Sequence, residues 1–348
     1  PAGPVAPTGK TIGEVEPRTA VNAQNTPGDV NSVFRITEPG SYYLTGNISG
    51  QPGRHGITIA SGNVTLDLSG FTMTGGSGSL NGIDMPSFQV GVVIRNGTVR
   101  GWGQSGVLAA IDNGAVQNIY ASNNNSWGIR VTDGSFGATV TDCGAFSNGL
   151  PAEPAGGIFA SGAVVISNCR ATHNRGVGFS VETSASVSNS VARSNTSHGF
   201  VAVRSMLSNI TSTNNSGEGV RLSVSSLLES SVVSANTGAG VNSQGNSIIR
   251  HNVISNNGLS GGAPGIVLPV GNNRVEGNEV RSNGGIGVHA ITGGNIIIGN
   301  TARGNGTNWS IAAGNVCLVV NATTGAAFTG NAGGLSPGTT NPYANFTY

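Results

Sequence analysis

Nine asparagines recur at nearly constant spacing through most of this sequence. They are Asn124, Asn148, Asn174, Asn195, Asn215, Asn236, Asn257, Asn283 and Asn305. Each closes the same pattern of an apolar residue, a small residue and a second apolar residue; one copy runs from Leu207 to Asn215. The successive steps are 24, 26, 21, 20, 21, 21, 26 and 22 residues, so the chain returns to one geometric position at a nearly fixed interval. Such a repeat predicts a solenoid.

The spacing inside each repeat predicts that the solenoid is built of strands. Apolar residues recur at short, strand-like intervals, and no 3.6-residue pattern continues long enough for a helix. Parallel strands stack about 4.8 Å apart, so equivalent residues of successive coils lie above one another. A column of inward asparagines can then hydrogen-bond its amides along the axis, which a buried amide requires. Gly-apolar pairs such as Gly199-Phe200 predict the turn into the next strand.

Composition and charge limit the function classes. The chain has 57 glycines in 348 residues and only 9% charged residues, which would be typical of disorder if the pattern were aperiodic. A net charge of +1 without a basic stripe argues against nucleic acid as a partner. No apolar run approaches the roughly 18 residues of a membrane span. A solenoid grows along one axis, so this length is compatible with one elongated domain.

We expect three segments along the chain. Residues 1–39 lack the repeat and are interpreted as an N-terminal extension and cap, residues 40–311 as a parallel β-helix, and residues 312–348 as a capping tail. Caps are expected because an open solenoid end exposes strand edges. We expect a secreted or cell-surface protein, extracellular or periplasmic, whose signal segment was removed ahead of Pro1.

Two smaller sets of residues share positions on neighbouring coils. Cys143 and Cys169 occupy one slot of consecutive repeats and should stack, either as a buried thiol pair or as an inter-coil disulfide. Glu229, Arg250 and Glu276 also match in position, which predicts a column of paired charges.

The repeat resembles that of a known family. The Gly-apolar and asparagine repeat is similar to the right-handed parallel β-helix repeats of the pectate-lyase-like superfamily, which includes carbohydrate-binding and sugar-cleaving proteins. The stretch 40–75, with Ser41-Tyr42-Tyr43-Leu44-Thr45, resembles the opening of many secreted bacterial β-helix proteins. The resemblance covers roughly residues 40–311 and implies an all-β fold and a polysaccharide partner. Known lyases and hydrolases of the family use clustered aspartates, but no aspartate follows Asp142, so we expect neither a metal nor another cofactor.

Two insertions predict where a site would lie. The gap between the repeated asparagine and the next turn glycine is usually three residues, but it lengthens at 149–156 and 258–264. Both insertions leave the same edge of the helix, about five coils or roughly 24 Å apart. They would wall a groove long enough for several sugar rings; the alternative is two tolerated surface insertions.

The floor of this groove carries an unusual share of the few charges. His198 and Glu218 occupy one slot on adjacent coils, so Glu218 is expected to raise the pKa of His198 and to orient it as a general base. The predicted catalytic residues are His198, Glu218, Arg221 and Glu182, and the predicted substrate-binding residues are His173, Arg175 and Arg193. The alternative is surface charges that pair for solubility.

Two function classes follow from these residues. The first is an enzyme acting on an acidic polysaccharide. In a metal-independent lyase, a base removes the C5 proton while Arg175 or Arg221 neutralises the carboxylate. In a hydrolase, Glu182 and Glu218 would form an inverting pair, which needs roughly 6.5 to 9.5 Å. The second class is a non-catalytic surface, adhesion or glycan-binding β-helix.

Aromatic residues near the predicted groove are few. Trp127 and Phe159 are candidates for stacking against sugar rings. Phe179 and Phe200 follow the turn glycine and are expected in the core. This scarcity of aromatic rings favours the non-catalytic class, because sugar sites usually stack rings on aromatic faces.

Overall fold

A computed structural model describes residues 17–150, 155–321 and 341–348, and those residues form strands and turns without a helix. Parts of the predicted N-terminal extension and C-terminal tail, and loop residues 151–154, lie outside the described residues. Parallel pairing joins 37 strands into one continuous sheet that winds around an axis. The predicted all-β parallel β-helix is confirmed. Each full coil presents three faces, named A, B and C in chain order.

Face A carries the strands that follow the turn glycines. Pairing runs in register along the whole axis, for example Phe179 with Phe200 and Phe200 with Val220. Its strands are Ser32–Ile36, His55–Ile59, Ile83–Asp84, Val107–Ala109, the first part of Ile129–Thr141, the first part of Gly156–Ser167, Val177–Glu182, Phe200–Val203, Val220–Leu222, Val241–Ser243, Ile266–Leu268, Ile286–Ala290 and Thr307–Ile311.

Face B follows face A in each coil. Its strands are Thr19–Ala20, Gly40–Tyr43, Val64–Asp67, the first parts of Val93–Arg100 and Ala115–Ser122, the second parts of Ile129–Thr141 and Gly156–Ser167, Ser186–Ser188, Met206–Ser208, Leu227–Glu229, Ile248–Arg250, Arg274–Glu276, Ile296–Ile298 and Val316–Cys317. The long strands that serve two faces make the sheet continuous.

Face C closes each coil before the repeated asparagine. Its strands are Ile48–Ser49, Thr72–Thr74, the second parts of Val93–Arg100 and Ala115–Ser122, Gly144–Phe146, Arg170–Thr172, Val191–Arg193, Thr211–Thr213, Val232–Ser234, Val253–Ser255, Glu279–Arg281, Thr301–Arg303, Asn345–Thr347 and its partner Val319–Asn321. Two further strands, Gln89–Val90 and Ile111–Asp112, pair with each other in a separate short ladder.

Parallel strands extend on both sides of the expected range 40–311. Ser32–Ile36 already pairs with His55–Ile59 on face A. At the other end, Asn345–Thr347 pairs with Thr301–Arg303 on face C. The pairing of strands therefore begins earlier and ends later than the repeat pattern in the sequence.

The interior is a narrow column of apolar side chains. Alternate residues of each strand point inward, so like residues stack coil upon coil. Phe179 and Phe200 are fully buried and stack with ring centroids 4.7 Å apart and planes 4° apart. Their expected place in the core is confirmed.

The repeated asparagines form the predicted ladder at the bend from face C to face A, which we call corner CA. The nine side chains are buried or nearly so, and Nδ2 of each of the first eight donates to Oδ1 of the next asparagine of the ladder over 2.9–3.1 Å. The backbone N of each of these eight donates to the same oxygen, over 2.9–3.1 Å. The ladder therefore ties each corner to the next by two hydrogen bonds.

Shorter ladders stabilise the other two bends. At corner BC, between faces B and C, Asn252, Asn278 and Asn300 repeat the same amide contacts, and Asn300 donates to Asn345 over 3.0 Å. At corner AB, between faces A and B, Asn273 donates to Asn295 over 2.9 Å. The sequence predicts the shared position at corner BC, where Cys143 and Cys169 also lie, but it did not lead us to predict the ladder at corner AB.

The structure shows whether the two cysteines are bonded and which residues of the charge column pair with each other. Cys143 and Cys169 are buried free thiols at corner BC, so the disulfide alternative is wrong. Each Sγ donates to a carbonyl of its own strand end over 3.2 Å. Glu229 and Arg250 pair over 2.6 Å as predicted, but Glu276 pairs with Arg274 of its own strand over 2.7 Å.

Replacing one ladder amide should destabilise the whole coil stack. Asn215→Ala removes the acceptor of two buried donors of Asn195 and the donor to Asn236. Unsatisfied buried groups cost about 1–3 kcal/mol each, so we expect a loss of about 3 kcal/mol, measured as a lower midpoint in guanidinium and thermal unfolding. Ser216→Ala, at the adjacent exposed position, is the control and should stay within about 0.5 kcal/mol. Equal stability of the two variants would contradict the role of the ladder.

Candidate active site on face A

Both insertions emerge at corner CA, the bend that leads onto face A. The first follows Asn148 and the second follows Asn257, and these asparagines are five steps apart in one ladder. Their separation is about 24 Å at the strand spacing. The two insertions therefore leave the same edge of the helix, and the outward side of face A lies between them.

Three of the seven predicted site residues line one depression on this face. Its volume is about 500 Å³. Its lining comprises Trp127, Ala155, Arg175, Gly176, Val177, Ser180, Thr196, Ser197, His198, Val201 and Arg221. Arg175, His198 and Arg221 thus converge, although 46 residues separate the first from the last in the sequence. The winding of the chain brings them together on consecutive coils.

Glu218 lies beside this depression and holds two of its neighbours. Its Oε2 accepts a hydrogen bond from Arg221 Nε over 2.7 Å, and its Oε1 accepts one from Asn242 Nδ2 over 2.6 Å. The carboxylate side chain is only 14% exposed. Glu218 is therefore a positioning residue that fixes the guanidinium of Arg221.

His198 makes a different contact with Glu218 than the sequence predicts. The backbone N of Glu218 donates to His198 Nδ1 over 3.0 Å, whereas the carboxylate oxygen is 3.7 Å from that nitrogen. A Cβ at Gly217 would lie 2.8 Å from Nδ1, so this close approach requires glycine at that position. Because Nδ1 accepts a hydrogen bond, the neutral ring carries its proton on Nε2.

The expected rise in the pKa of His198 is wrong. Burial of the imidazole lowers its pKa most, the guanidinium of Arg221 lowers it further, and the carboxylate of Glu218 opposes both without reversing the direction. His198 is therefore a neutral imidazole at neutral pH. Its Nε2–H is a hydrogen-bond donor, and its only lone pair is already used.

The remaining predicted residues lie elsewhere. Glu182 is on face A, five residues along the strand and two coils along the axis from the position of Glu218, which gives about 19 Å between their Cα atoms. His173 and Arg193 precede the ladder asparagines, so they belong to the face C side of corner CA. None of these three lines the depression.

Sequence reading missed a second depression on the same face. Its volume is about 480 Å³, and its lining includes Asn81, Gln104, Arg130 and Leu150. Leu150, at one described end of the first insertion, lines this second depression, and Ala155, at the other end, lines the first depression. The signal was available: Gly128-Ile129-Arg130 has the same pattern as Gly219-Val220-Arg221.

An aromatic cluster joins the two depressions. The rings of Trp127 and Phe159 are 5.4 Å apart at 50°, and the guanidinium of Arg130 lies 5.5 Å from the ring centroid of Phe159. Trp127 is 8% exposed and lines the first depression. Trp127 is therefore largely covered, and the partly exposed ring of Phe159 is the more accessible of the two.

Two properties of the described ranges bear on chemistry and location. Within residues 17–150, 155–321 and 341–348, no group of three or more His, Cys, Asp or Glu side chains is placed to hold a metal ion. In the same ranges, no helix has the length and hydrophobicity needed to cross a membrane.

Comparisons with known proteins agree with this architecture. Residues 47–216 match the family model described as "Right handed beta helix region", and residues 204–333 match the model described as "Periplasmic copper-binding protein (NosD)". Among curated proteins, nothing matches this chain.

Solved structures show the same fold at low sequence identity. The A-module of mannuronan C-5 epimerase AlgE4 from Azotobacter vinelandii is 18% identical, with a TM-score of 0.57 over 80% of this chain and 90% of that chain. A mutant tailspike protein of E. coli bacteriophage HK620, solved with a pentasaccharide, is 13% identical, with a TM-score of 0.61 over 84% of this chain and 69% of that chain.

The wound parallel sheet, the ladders and these matches define the class. The chain has the right-handed parallel β-helix fold, which the family model matches over residues 47–216 and the similar solved structures share.

The pKa of His198 should respond to its charged neighbours. In Arg221→Gln, the pKa should rise, because one repelling cation is lost and Glu218 is released from its hydrogen bond. In Glu218→Gln, it should fall further. Imidazole titration by NMR measures both. Arg204→Gln, which changes an exposed arginine after the far end of the strand Phe200–Val203, is the control and should leave the titration unchanged. A falling pKa in Arg221→Gln would contradict the proposed electrostatics.

Proposed function

We propose that this protein binds an acidic polysaccharide along face A and acts outside the cytoplasm as a carbohydrate-active β-helix protein. The observation that carries the proposal is the convergence of Arg175, Arg221 and His198 around one depression beside Trp127. Binding does not require catalysis, so this proposal also holds if the protein is a non-catalytic, glycan-binding β-helix.

The depression has the chemistry that a uronate needs. Guanidinium groups recognise carboxylates through paired, charge-assisted hydrogen bonds, and Arg175 and Arg221 supply two such groups. His198 adds a neutral Nε2–H donor, and Ser180 adds a hydroxyl. The carboxylate of Glu218 occupies Nε of Arg221 and also accepts from Asn242, so a ligand carboxylate would bind Arg175 and the other N–H groups of Arg221. The volume of about 500 Å³ lies within the range of roughly 300–1,000 Å³ for small-ligand sites.

Proteins of the same fold support a saccharide ligand. One is named as a mannuronan epimerase and covers nearly the same length, and another was solved with a bound pentasaccharide. The proposed extracellular or periplasmic location is supported by the family description of NosD as periplasmic. The substrate class itself rests on the residues of the depression.

Removing either guanidinium should weaken binding of acidic sugars. We expect Arg175→Gln and Arg221→Gln each to weaken binding of an oligogalacturonate or an oligomannuronate by about tenfold, because each removes one charge-assisted contact. Calorimetry or affinity electrophoresis measures the change. Arg204→Gln keeps the same loss of charge outside the depression and is the matched control. A neutral oligosaccharide bound as tightly as the uronates would contradict acidic recognition.

The second candidate function is a polysaccharide lyase at the same site. The favouring observation is a neutral imidazole, His198, next to two guanidinium groups that would neutralise a uronate carboxylate. In such an elimination, the C5 proton passes to the base, a double bond forms between C4 and C5, and the bond from C4 to the glycosidic oxygen breaks; that oxygen takes a proton from water and leaves as a hydroxyl of the released sugar. The base needs a lone pair, and the only one on neutral His198 is at Nδ1, which accepts from Glu218 N. Elimination therefore requires this hydrogen bond to break when substrate binds.

Hydrolysis is the less favourable chemistry for these residues. An inverting pair of carboxyl groups works at roughly 6.5–9.5 Å and a retaining pair at about 5–5.5 Å. The Cα atoms of Glu182 and Glu218 are about 19 Å apart in the register of face A. We therefore propose no hydrolase pair.

A uronate screen separates the lyase from a binding protein. Unsaturated products absorb in the ultraviolet, so a lyase should give rising absorbance with at least one uronic-acid polymer. His198→Ala should then reduce the rate by about 10²–10⁴-fold, the usual contribution of a general base. Binding without product from polygalacturonate, polymannuronate and polyguluronate would leave the binding function and remove the lyase. Full activity in His198→Ala would also contradict a base at this position.

A further inference from the structure

A second concave patch lies on face C, around corner CA from the depressions of face A. Its volume is about 340 Å³, and its lining comprises Tyr120, Ser122, Gly144, Ala145, Phe146, Arg170 and Thr172. Nothing in the proposed chemistry of face A uses these residues. They lie on three consecutive coils, because Tyr120 pairs with Gly144 and Gly144 pairs with Arg170.

Two aromatic rings border this patch and are exposed. Tyr120 is 55% exposed and Phe146 is 44% exposed, in a chain with only 5% aromatic residues. Phe146 is supported from corner CA by the ring of His173, with centroids 5.4 Å apart at 56°. Exposed rings held in place from one side offer their free surface to a ligand.

Gly144 leaves room for the ring of Tyr120 to lie across the neighbouring coil. A Cβ at this glycine would lie 3.0 Å from Tyr120 Cε1 and 3.2 Å from two further ring atoms. The ring of Tyr120 therefore occupies the space that a side chain at 144 would take. Beyond it, the next outward side chain of the same row is Arg170. A ring-shaped ligand that lies on the outer side of Tyr120 contacts an aromatic surface and has the cation of Arg170 close by, one coil beyond Gly144.

The outward rows of face C around the patch carry positive charge, and the exposed carboxylate of Asp142 lies outside these rows at corner BC. Ten outward positions belong to the face C strands of the five coils centred on Gly144. They are Thr98, Arg100, Tyr120, Ser122, Gly144, Phe146, Arg170, Thr172, Val191 and Arg193. Three are arginines and none is a carboxylate, so an anionic ligand is favoured electrostatically.

We propose that Tyr120, Phe146 and Arg170 form a second saccharide-binding site, separate from face A, that takes a uronic acid unit of an acidic polysaccharide. The aromatic rings contact the apolar C–H side of the sugar ring, Arg170 pairs with its carboxylate, and the hydroxyls of Ser122 and Thr172 hydrogen-bond its hydroxyls. The site is non-catalytic and holds the polymer on the protein. It stands independently of chemistry on face A and shares with the proposed function only the class of ligand.

The two faces can be tested separately in the full chain. In an Arg175→Gln/Arg221→Gln background, the residual binding of an oligogalacturonate reports face C. Adding Tyr120→Ala, Phe146→Ala or Arg170→Gln should weaken this residual binding by about tenfold each, measured by calorimetry. Phe136→Ala removes an aromatic residue that is 62% exposed elsewhere on the helix, and it should leave the affinity unchanged. Thermal melting of each variant checks that the fold is intact.

The outcomes distinguish this site from the site on face A. If Tyr120→Ala removes the residual binding and Phe136→Ala keeps it, the result supports a site on face C. This conclusion holds even if Arg175→Gln and Arg221→Gln do not weaken binding. Three folded face C variants with unchanged affinity overturn the proposal. Equal binding of single-stranded DNA and of the oligogalacturonate, both sensitive to Arg170→Gln, also overturns it, because the patch would then be a general anion site.

Discussion

The amide ladder at corner CA is the contact on which the rest of this structure depends. Each asparagine uses one oxygen to accept two donors from the preceding coil, a side-chain Nδ2 and a backbone N. This arrangement satisfies buried polar groups and also fixes which residue of one coil lies above which residue of the next. A one-residue slip would turn every inward side chain outward. The ladder therefore sets the register, and the register sets the chemistry of every outward row.

The candidate site is placed at a fixed distance from the ladder. His198 follows Asn195 by three residues, Glu218 follows Asn215 by three, and Trp127 follows Asn124 by three. These positions form one row at the edge of face A, so their mutual geometry is inherited from the scaffold. Variation in function on such a scaffold comes from the identity of the side chain in the slot and from insertions beside it.

The repeat made the fold and part of the site predictable. The period predicted the ladder, the buried Phe179 and Phe200, and the adjacency of His198 and Glu218. It could not assign residues near a corner to a face, because His173 and Arg193 are close to His198 in sequence but lie before the bend. It also could not give the pKa of His198, because the burial of the ring and the nearby guanidinium of Arg221 depend on side-chain placement in three dimensions. Arg130 could have been predicted as a site residue. It follows the same Gly-apolar pair as Arg221, so the sequence alone places both arginines in one outward row of face A.

The contact between His198 and the next coil has a counterpart that argues for a structural origin. His55 occupies the same slot near the start of the helix, and its Nδ1 accepts a hydrogen bond from Asn81 N over 3.2 Å, with Asp84 Oδ1 at 3.6 Å. In His198, the corresponding distances are 3.0 Å to Glu218 N and 3.7 Å to its carboxylate. Two histidines in one slot thus use the same nitrogen in the same way, far apart on the helix. The slot itself directs Nδ1 to the backbone of the next coil and leaves Nε2 for the outer surface. A histidine there is a preorganised hydrogen-bond donor first, and it becomes a base only if a ligand supplies enough binding energy to break that backbone contact.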